Sequence, residues 1–171
     1  RFVLYLDSSH GKMKIIYDRN EDIFLENTDY RNGLRDGVAV ALGYFAVAFT
    51  FGMASVANGL GILQAVLISL TNVTSAGQFS GLEIIATNGS YIEIALTQLI
   101  INLRYSLMSF SLTQKLEQGR QGWHRYLMAY SVTDEIFALD ANFDGSLSPA
   151  YHYGITSVAV PGWVFGTLAG A

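Results

Sequence analysis

Long apolar stretches separated by short polar turns occupy the chain from residue 37 onward. Between residues 37 and 82 there is no Asp, Glu, Lys, Arg or His, whereas a helix on the surface of a soluble protein keeps a charged face toward water. About 20 apolar residues are enough to cross the hydrocarbon core of a membrane. The pattern therefore predicts an all-α protein, a polytopic bundle of transmembrane helices.

Two turn signals, Asn58-Gly59 and Thr87-Asn88-Gly89-Ser90, mark the first boundaries between the apolar segments. An acidic connector at residues 140–144 marks a later boundary. The predicted segments are residues 37–56, 60–86, 91–112, 123–139 and 150–171. Charged residues make up 14% of the chain, against roughly 25% in an average soluble domain, which agrees with a membrane protein.

The segment at residues 60–86 is too long for one crossing and too short for two. Its centre is polar and carries Asn72, Thr74, Ser75, Gly77 and Gln78. Transporters place substrate sites where two half-helices meet, because the unwound backbone offers N–H and C=O groups to a ligand. We predict such a break at residues 72–77. The alternative is one long tilted helix whose small polar residues pack against neighbouring helices.

Charge placement favours the broken segment. Residues 1–36 hold six of the ten Lys and Arg residues, and Lys115, Arg120 and Arg125 follow the third segment. The positive-inside rule places both regions in the cytoplasm and the acidic connectors at 83–93 and 140–144 outside. Two cytoplasmic ends require an even number of crossings between them. One segment must therefore either enter and leave on the same side or fold into two crossings, and 60–86 is the candidate.

Residues 1–36 are predicted to be a cytoplasmic N-terminal leader, and residues 37–171 the transmembrane domain. Residues 1–12 precede Met13 and are not necessarily native. The apolar stretch at 2–6 is too short for a signal peptide. Asn27, Asp29 and Asn32 are candidate N-caps of a helix that leads into the membrane.

Charged residues inside the later segments are candidates for functional chemistry. Arg104 lies on the same helix as a polar stripe formed by Gln98, Asn102, Tyr105 and Ser109. Arg104 lies about eight residues, or roughly 12 Å, from the end of the predicted segment 91–112. A charge that far inside a membrane is expensive unless it is paired or hydrated. Arg104 either pairs within a wet interior or extends its guanidinium to the interface.

Asp134 and Glu135 are adjacent acids in an otherwise apolar segment. One of them could meet Arg104 while the other faces a cavity. Alternatively, Thr133 is an N-cap and both acids occupy a first helical turn. Both interpretations remain open from the sequence.

Several site classes are not indicated. The chain has no cysteine, so it has neither disulfides nor a thiolate metal site. Residues 140–145 match the first half of a calcium-binding EF-hand loop, but the twelfth position is Tyr151 instead of Glu. We expect a solvated acidic turn there, with no metal and no cofactor. Phosphate loops and nucleophile elbows are absent, and we predict that the protein is not an enzyme.

Four ordered motifs resemble those of the AzlC (azaleucine-resistance) family, and the resemblance covers about residue 32 to the C-terminus. The motifs are Asn72-Val73-Thr74-Ser75-Ala76-Gly77-Gln78-Phe79, Asn102-Leu103-Arg104-Tyr105-Ser106-Leu107-Met108, Thr133-Asp134-Glu135-Ile136-Phe137-Ala138 and Gly162-Trp163-Val164-Phe165-Gly166-Thr167. The resemblance implies an α-helical permease of the bacterial inner membrane. Such a permease is the large subunit of a branched-chain amino acid exporter and works with a small hydrophobic partner of the AzlD type.

Two features depart from the family pattern. Many relatives have proline after Gly-Tyr in the first span, whereas here Gly43-Tyr44-Phe45 is followed by Ala46. Family members also continue beyond the last motif, whereas this chain stops at Ala171. A kink in the first span is therefore in doubt, and a truncated or partly represented permease is left open.

Taking the residues and the resemblance together, we expect a zwitterionic amino acid to bind at the break. The predicted substrate-binding residues are Asn72, Thr74, Ser75, Gly77, Gln78 and Asn102. Arg104, Asp134 and Glu135 would form a charge network that gates or couples transport. The alternatives are a scaffold subunit whose polar residues hold helices together, and an intramembrane enzyme that uses one of the two acids.

Overall fold

The computed structural model describes the backbone of residues 2–7, 12–17, 19–116 and 122–171, and the side chains of 27–116 and 122–171. The described chain is overwhelmingly α-helical, which confirms the predicted all-α class. Arg120 of the predicted basic loop lies outside the described residues, as do residues 1, 8–11 and 18 of the predicted leader and the side chains of 1–26.

The elements follow one another in a simple order. A two-stranded antiparallel hairpin pairs Phe2 with Tyr17 and Asp7 with Lys12. The strands are β1 (Phe2–Asp7) and β2 (Lys12–Tyr17), and the helices that follow are α1 (Arg19–Ala57), α2 (Ile62–Thr71), α3 (Ser75–Ala86), α4 (Tyr91–Lys115), α5 (His124–Ala129), α6 (Asp134–Asn142) and α7 (Pro149–Gly170). The strands lie in the part of the chain predicted as leader, where no sheet was expected.

Helix α1 is continuous and begins earlier than predicted. Since it starts at Arg19, the expected N-caps Asn27, Asp29 and Asn32 lie inside it, and that prediction is wrong. Of the described helices, α1 alone has a stretch, Asn27–Ala57, that is both long and apolar enough to cross a membrane. Helices α4 and α7 have 25 and 22 residues, but polar side chains interrupt their apolar surface.

Helices α1 and α7 run parallel and touch along their backbones. A Cβ atom at Gly33 would lie 2.1 Å from the carbonyl oxygen of Tyr151, and one at Gly170 would lie 2.0 Å from that of Phe49. Only glycine permits so close an approach. We call this contact the glycine seam; its members are Gly33, Gly37, Gly52, Gly154, Gly162, Gly166 and Gly170.

The seam defines two ends of the bundle. The Tyr30 end holds Tyr30 of α1, where a Cβ at Gly154 would lie 2.2 Å from the Tyr30 carbonyl. The Asn58 end holds the turn that follows α1, where Gly59 has φ +86°. Predicted turns at 58–59 and 87–90 are both confirmed, and Asn88 of the second has φ 56°.

Helices α2 and α3 form a hairpin that enters and leaves at the Asn58 end. Between them Asn72, Val73 and Thr74 are non-helical, and Thr74 is extended with φ −147° and ψ 124°. An open surface cavity is lined by both Asn58 and Ala86, so α3 returns to the end where α2 began. The predicted broken segment is confirmed. The break is shorter than predicted, because residues 75–77 already belong to the first turn of α3.

Helices α5 and α6 form a second hairpin, which the sequence did not predict. The break at Ser131, Val132 and Thr133 separates them. The Nζ atom of Lys115 donates to the carbonyl oxygens of Asp140, Ala141 and Phe143 at 3.2, 2.5 and 2.6 Å. The end of α6 therefore lies beside the end of α4, at the Tyr30 end.

Two predictions about this region are wrong. Segment 123–139 does not run from one end of the bundle to the other, because α6 turns back at the break. The acidic connector at 140–144 consequently lies at the same end as Lys115 and not opposite it. The requirement for an even number of crossings is unaffected, because it concerns only the three segments that precede the basic loop.

The chain thus contains two units of the same design but opposite direction. Helices α1 to α3 run to the Asn58 end and fold back there, whereas α4 to α6 run to the Tyr30 end and fold back. Each hairpin tip carries Val-Thr, as Val73-Thr74 and Val132-Thr133, and each Thr is the N-cap residue of the following half-helix. Inverted repeats of this kind are a common transporter architecture.

Candidate functional site

The two hairpin tips face each other beside the middle of α1 and enclose a cavity of about 390 Å³, the central cavity. Its volume lies within the range of roughly 300–1,000 Å³ typical of small-molecule sites. The lining comes from α1, both tips, α4 and α7: Ala39, Val40, Gly43, Tyr44, Val47, Val73, Thr74, Ser75, Arg104, Tyr105, Thr133, Asp134, Glu135 and Trp163.

One wall of the central cavity is a chain of polar contacts between the tips. Arg104 Nη2 lies 2.7 Å from Asp134 Oδ2 and donates to the Tyr105 hydroxyl at 2.9 Å. Tyr105 Oη in turn lies 3.0 Å from Thr74 Oγ1. The Arg104 and Asp134 side chains are 54% and 44% exposed, so the ion pair is open to the cavity.

Tyr44 connects α1 to the second tip. Its hydroxyl donates to Glu135 Oε2 at 2.9 Å and is also hydrogen-bonded to Thr133 Oγ1. The ring packs edge-on against Trp163 with centroids 5.2 Å apart. A phenol has one proton, so the Thr133 hydroxyl is the donor in its bond to Tyr44.

The two half-helices present opposite charges to the cavity. Helix α3 has no acidic residue in its first turn, and Thr74 makes no side-chain cap bond, so the positive end of the helix dipole is uncompensated. Helix α6 is capped by Thr133 and carries Asp134 and Glu135 in its first turn. One tip is therefore suited to an anion and the other to a cation.

The opposite wall is apolar. It comprises small and branched side chains of α1 together with Val73 of the first tip and the Trp163 ring of α7. Tyr44 and Trp163 are both buried in the main core cluster. An aliphatic group placed here would lie a few ångströms from the charged wall.

A second space, the flanking cavity, lies on the other side of Tyr105 and has a volume of about 340 Å³. Asn72 and Asn102 line it together with Gln98. Asn72 Nδ2 donates to Gln98 Oε1 at 3.2 Å, and Gln98 Nε2 donates to the Gly77 carbonyl oxygen at 2.8 Å. The polar stripe predicted on α4 therefore holds the first tip in place.

The predicted site residues fall into three places. Thr74 and Ser75 share the central cavity with Arg104, Asp134 and Glu135, whereas Asn72 and Asn102 line the flanking cavity. Gln78 lines neither: it is 1% exposed and donates to Ser69 Oγ at 2.7 Å. Gly77 lines neither as well, and Gln98 occupies its carbonyl.

The alternatives that the sequence left open for the charged residues are decided by these contacts. Arg104 does not extend away from the protein, because its guanidinium binds Tyr105 and Asp134. Thr133 is an N-cap, and Asp134 also pairs with Arg104, so both interpretations of the acids hold together.

Sequence reasoning missed Tyr44 and Trp163 as cavity residues and gave Tyr105 only a place in the polar stripe. Tyr44 is the sole phenol in the predicted first span. Its partners Thr133 and Glu135 lie far along the chain, so the sequence alone does not reveal its place in the cavity. Among the described side chains, no group of three His, Asp or Glu lies close enough together to hold a metal ion.

The family model described as AzlC protein matches residues 39–171. The chain belongs to the AzlC family. This confirms the resemblance found in the motifs, and AzlC is a family of membrane transporters. The break in 60–86 and the Arg104–Asp134 pair both lie inside the matched region.

Individual AzlC relatives are membrane proteins from bacteria and an archaeon. The chain is 30% identical to "Inner membrane protein YgaZ" of Escherichia coli (strain K12) over 146 residues, which are 83% of this chain and 60% of that protein. It is 28% identical to an uncharacterized membrane protein of Archaeoglobus fulgidus over 141 residues, 82% of this chain and 61% of the relative.

An uncharacterized membrane protein of Helicobacter pylori (strain 26695) is 25% identical over 145 residues, 83% of this chain and 63% of the relative. The chain thus spans about three fifths of the length of the curated relatives it matches. No solved structure matches it. Together the family and the relatives support a membrane protein with a transport-related function.

Proposed function

We propose that this chain exports branched-chain amino acids or their analogues, as the large subunit of a two-component permease. The observation that carries the proposal is the central cavity, whose two charged tips and apolar wall match the two charges and the side chain of such a substrate. The cavity lies between half-helices, where transporters bind substrates.

The substrate's carboxylate would bind between Arg104 and the uncapped N-terminus of α3. Both described bonds of Arg104 use Nη2, and a guanidinium has five N–H donors. Free backbone N–H groups and the helix dipole at Ser75 favour the same negative charge. The carboxylate would then compete with Asp134 for the guanidinium.

The substrate's ammonium would bind the acidic tip of α6. Glu135 is exposed to the cavity, and its carboxylate is held in place by the Tyr44 hydroxyl. Release of Asp134 from Arg104 would supply a second carboxylate. A zwitterion would thus exchange one internal ion pair for two, with no net charge added to the cavity.

The aliphatic side chain would lie against α1 and Trp163. Val40, Val47 and Val73 offer branched methyl groups, and Gly43 leaves room beside them. Apolar contacts of this kind reward added methylene groups by about 0.8 kcal/mol each. They do not accept a second charge, because a charged group there would lose its hydration.

Location and partner follow from the same proposal. The chain would cross the bacterial inner membrane several times with its N-terminus in the cytoplasm, in line with the positive-inside rule and with the printed name of the Escherichia coli relative. A small hydrophobic subunit of the AzlD type would cover part of α4. Helix α4 has an exposed apolar face for this subunit, formed by Ile92, Leu96, Leu99, Ile100, Leu103, Leu107 and Phe110.

Binding of L-leucine to the purified chain in detergent micelles, measured by isothermal titration calorimetry, tests the site. L-isoleucine and L-valine should bind similarly, and L-lysine and L-glutamate should not. Arg104→Gln and Glu135→Gln should each weaken binding about tenfold, since each removes one charge contact worth roughly 1.4 kcal/mol. The matched control is Glu83→Gln, an exposed acid at the Asn58 end, which should bind as the wild type does.

Efflux of labelled leucine from loaded vesicles that contain the chain together with a small AzlD-type subunit tests the transport step. Failure of the wild type to bind any of the three amino acids would refute the proposal. Binding without flux would instead favour the scaffold alternative. Equal affinities in the wild type and Arg104→Gln would remove Arg104 from the site.

A further inference from the structure

A buried chain of three hydrogen-bonding side chains lies outside both cavities, in the half of the second hairpin toward the Tyr30 end. Asp140 Oδ2 lies 2.6 Å from His152 Nδ1, and His152 Nε2 lies 2.9 Å from Ser131 Oγ. Asp140 and His152 are fully buried, and Ser131 is 4% exposed. We call these residues the Asp–His–Ser relay. It joins the tip and the α6 arm of the second hairpin to α7.

This arrangement corrects the sequence reading of Asp140, which was expected in a solvated turn. An ionisable pair buried in this way is a poor stabiliser, since apolar residues of the same volume often give a more stable protein. Moreover, Asp140 Oδ1 has no hydrogen-bond partner among the described residues. Pairs that serve only structure normally have all their polar atoms satisfied, so the relay points to a function.

Other charged and titratable groups surround the relay without entering it. The Lys115 ammonium is held at the Asp140 backbone carbonyl, where its charge offsets that of a buried carboxylate. The remaining groups come from α1, α5 and α7 and are hydrogen-bonded to one another: Asp36 to Tyr151 and His124 to Tyr153.

The relay can hold one proton more or less without losing its shape. With a neutral imidazole, Nδ1–H donates to Asp140 and Nε2 accepts from the Ser131 hydroxyl. With an imidazolium, both ring nitrogens donate, and the Ser131 hydroxyl turns to the Met128 carbonyl oxygen, which lies 3.3 Å away. The proton is gained or lost at Nε2, and only one hydroxyl rotates.

We propose that Asp140, His152 and Ser131 form a proton-binding site that controls the position of the α5–α6 hairpin. One proton passes from water to His152 Nε2 and returns to water when the hairpin moves away from α7. No covalent bond other than this N–H bond is made or broken. The protonated site has two donors facing the hairpin and holds it more firmly. An open surface groove of about 470 Å³, lined by Ser131 and Tyr153, borders the site at Ser131.

The site would act on the central cavity through the few residues that connect Ser131 to the acidic wall. Ser131 is two residues from Thr133, and Asp134 and Glu135 follow directly. A shift of the hairpin relative to α7 therefore moves the acidic wall of the cavity. In this way proton binding would be coupled to substrate release, a step that rests on the proposed function.

Hydrogen–deuterium exchange of the full chain in micelles, between about pH 5 and pH 8, tests the proton site without any substrate. After correction for intrinsic exchange rates, protection of amides 131–140 should fall about tenfold as pH rises, because deprotonation removes the Nε2–H donor that holds Ser131. His152→Gln should abolish the pH dependence. His124→Gln, which alters the histidine outside the relay, should retain it.

Two outcomes would overturn the proposal: protection that is independent of pH in the wild type, or unchanged pH dependence in His152→Gln. If that variant does not fold, nitrogen NMR of labelled histidine in the wild type decides, with His124→Gln used for assignment. A His152 ring that keeps one protonation state over this pH range contradicts the site. If the wild type does not bind leucine but its amide protection still depends on pH, the proposed function is refuted and the proton site is not.

Discussion

Tyr44 shows how much of the site depends on a single side chain. Its hydroxyl is the hydrogen-bonding link between α1 and the second tip through Thr133 and Glu135, and its ring supports Trp163. Only 6% of the residue is exposed. Removal of the hydroxyl would leave the ring packing intact and two partners without their bond.

Tyr44→Phe should therefore lower the free energy of unfolding by about 1–3 kcal/mol, the cost of leaving buried polar groups unsatisfied. Thermal unfolding in detergent micelles measures the change. Tyr91→Phe is the matched control, because Tyr91 is 91% exposed, and its stability should equal that of the wild type. A Tyr44→Phe protein as stable as this control would show that the hydroxyl contributes nothing to the fold.

At this scale, residue type was a good guide to chemistry and a poor guide to position. A pair between Arg104 and one of the two acids was one of the interpretations left open, because an intramembrane charge needs a partner, and Asp134 is that partner. Gln78 was grouped with Thr74 and Ser75 from proximity in the chain, but it begins the next helical turn and faces Ser69 instead. Asp140 was read as solvated because its partner, His152, lies in a different helix.

The half-helices are the elements that distinguish this fold from a simple bundle. Helix α2 has ten residues, which rise about 15 Å at 1.5 Å per residue, half of a hydrocarbon core of about 30 Å. Both tips consequently reach the level of Tyr44, near the middle of the Asn27–Ala57 stretch. A ligand at this level would be equally distant from both ends of the bundle.

Single cysteines should reveal the two hairpins directly, because the chain has no native cysteine. Asn58→Cys and Thr87→Cys should react with an impermeant maleimide from the same side of a sealed vesicle, and Ala141→Cys from the other. All three positions are exposed. Labelling of positions 58 and 87 from opposite sides would mean that α2 and α3 together cross the membrane, contrary to the hairpin.

The first hairpin was predictable and the second was not, for a definite reason. Residues 60–86 are too long for one crossing, and charge parity required a segment that turns back. Residues 123–139 have a length that one short helix could occupy, and no parity argument applied to them. The sequence does hold one sign of the second hairpin, since Val132-Thr133 repeats Val73-Thr74. Two shared residues are too few, however, to indicate a structural repeat.

On the scale of the whole molecule, the two inverted units meet at their tips. The Tyr130 hydroxyl donates to the Leu70 carbonyl oxygen and so joins the last turn of α2 to the end of α5. This bond satisfies a carbonyl that the helix end leaves unpaired. Movement of either hairpin is therefore transmitted to the other.

Tyr130→Phe should loosen this connection. Exchange of the amides at 70–74 should accelerate severalfold, by roughly the factor expected for loss of about 1 kcal/mol of local stability. Tyr126→Phe, which alters a more exposed tyrosine one turn away, should leave these amides unchanged. Hydrogen–deuterium exchange mass spectrometry gives both rates, and equal rates in the two variants would contradict a direct link between the tips.

The inverted arrangement itself was beyond the reach of the sequence. Composition and periodicity indicated an α-helical membrane protein, and the motifs indicated the family. Direction, however, is a property of how elements pack, and α5 and α6 acquire theirs from Lys115 and His152 at a distance in the chain. Only contacts between separate helices could show that the second unit mirrors the first.

The glycine seam determines which parts of the molecule can move. Where backbone touches backbone, as at Gly33 and Gly170, one helix cannot slide or roll against the other without a steric clash. The parallel pair α1 and α7 is thus a rigid frame. The hairpins are attached to it by bonds between side chains, such as Ser69 to Thr167 and Asp140 to His152, and not by backbone contact. Opening of the cavity toward either end is therefore a motion of hairpins against a stationary frame.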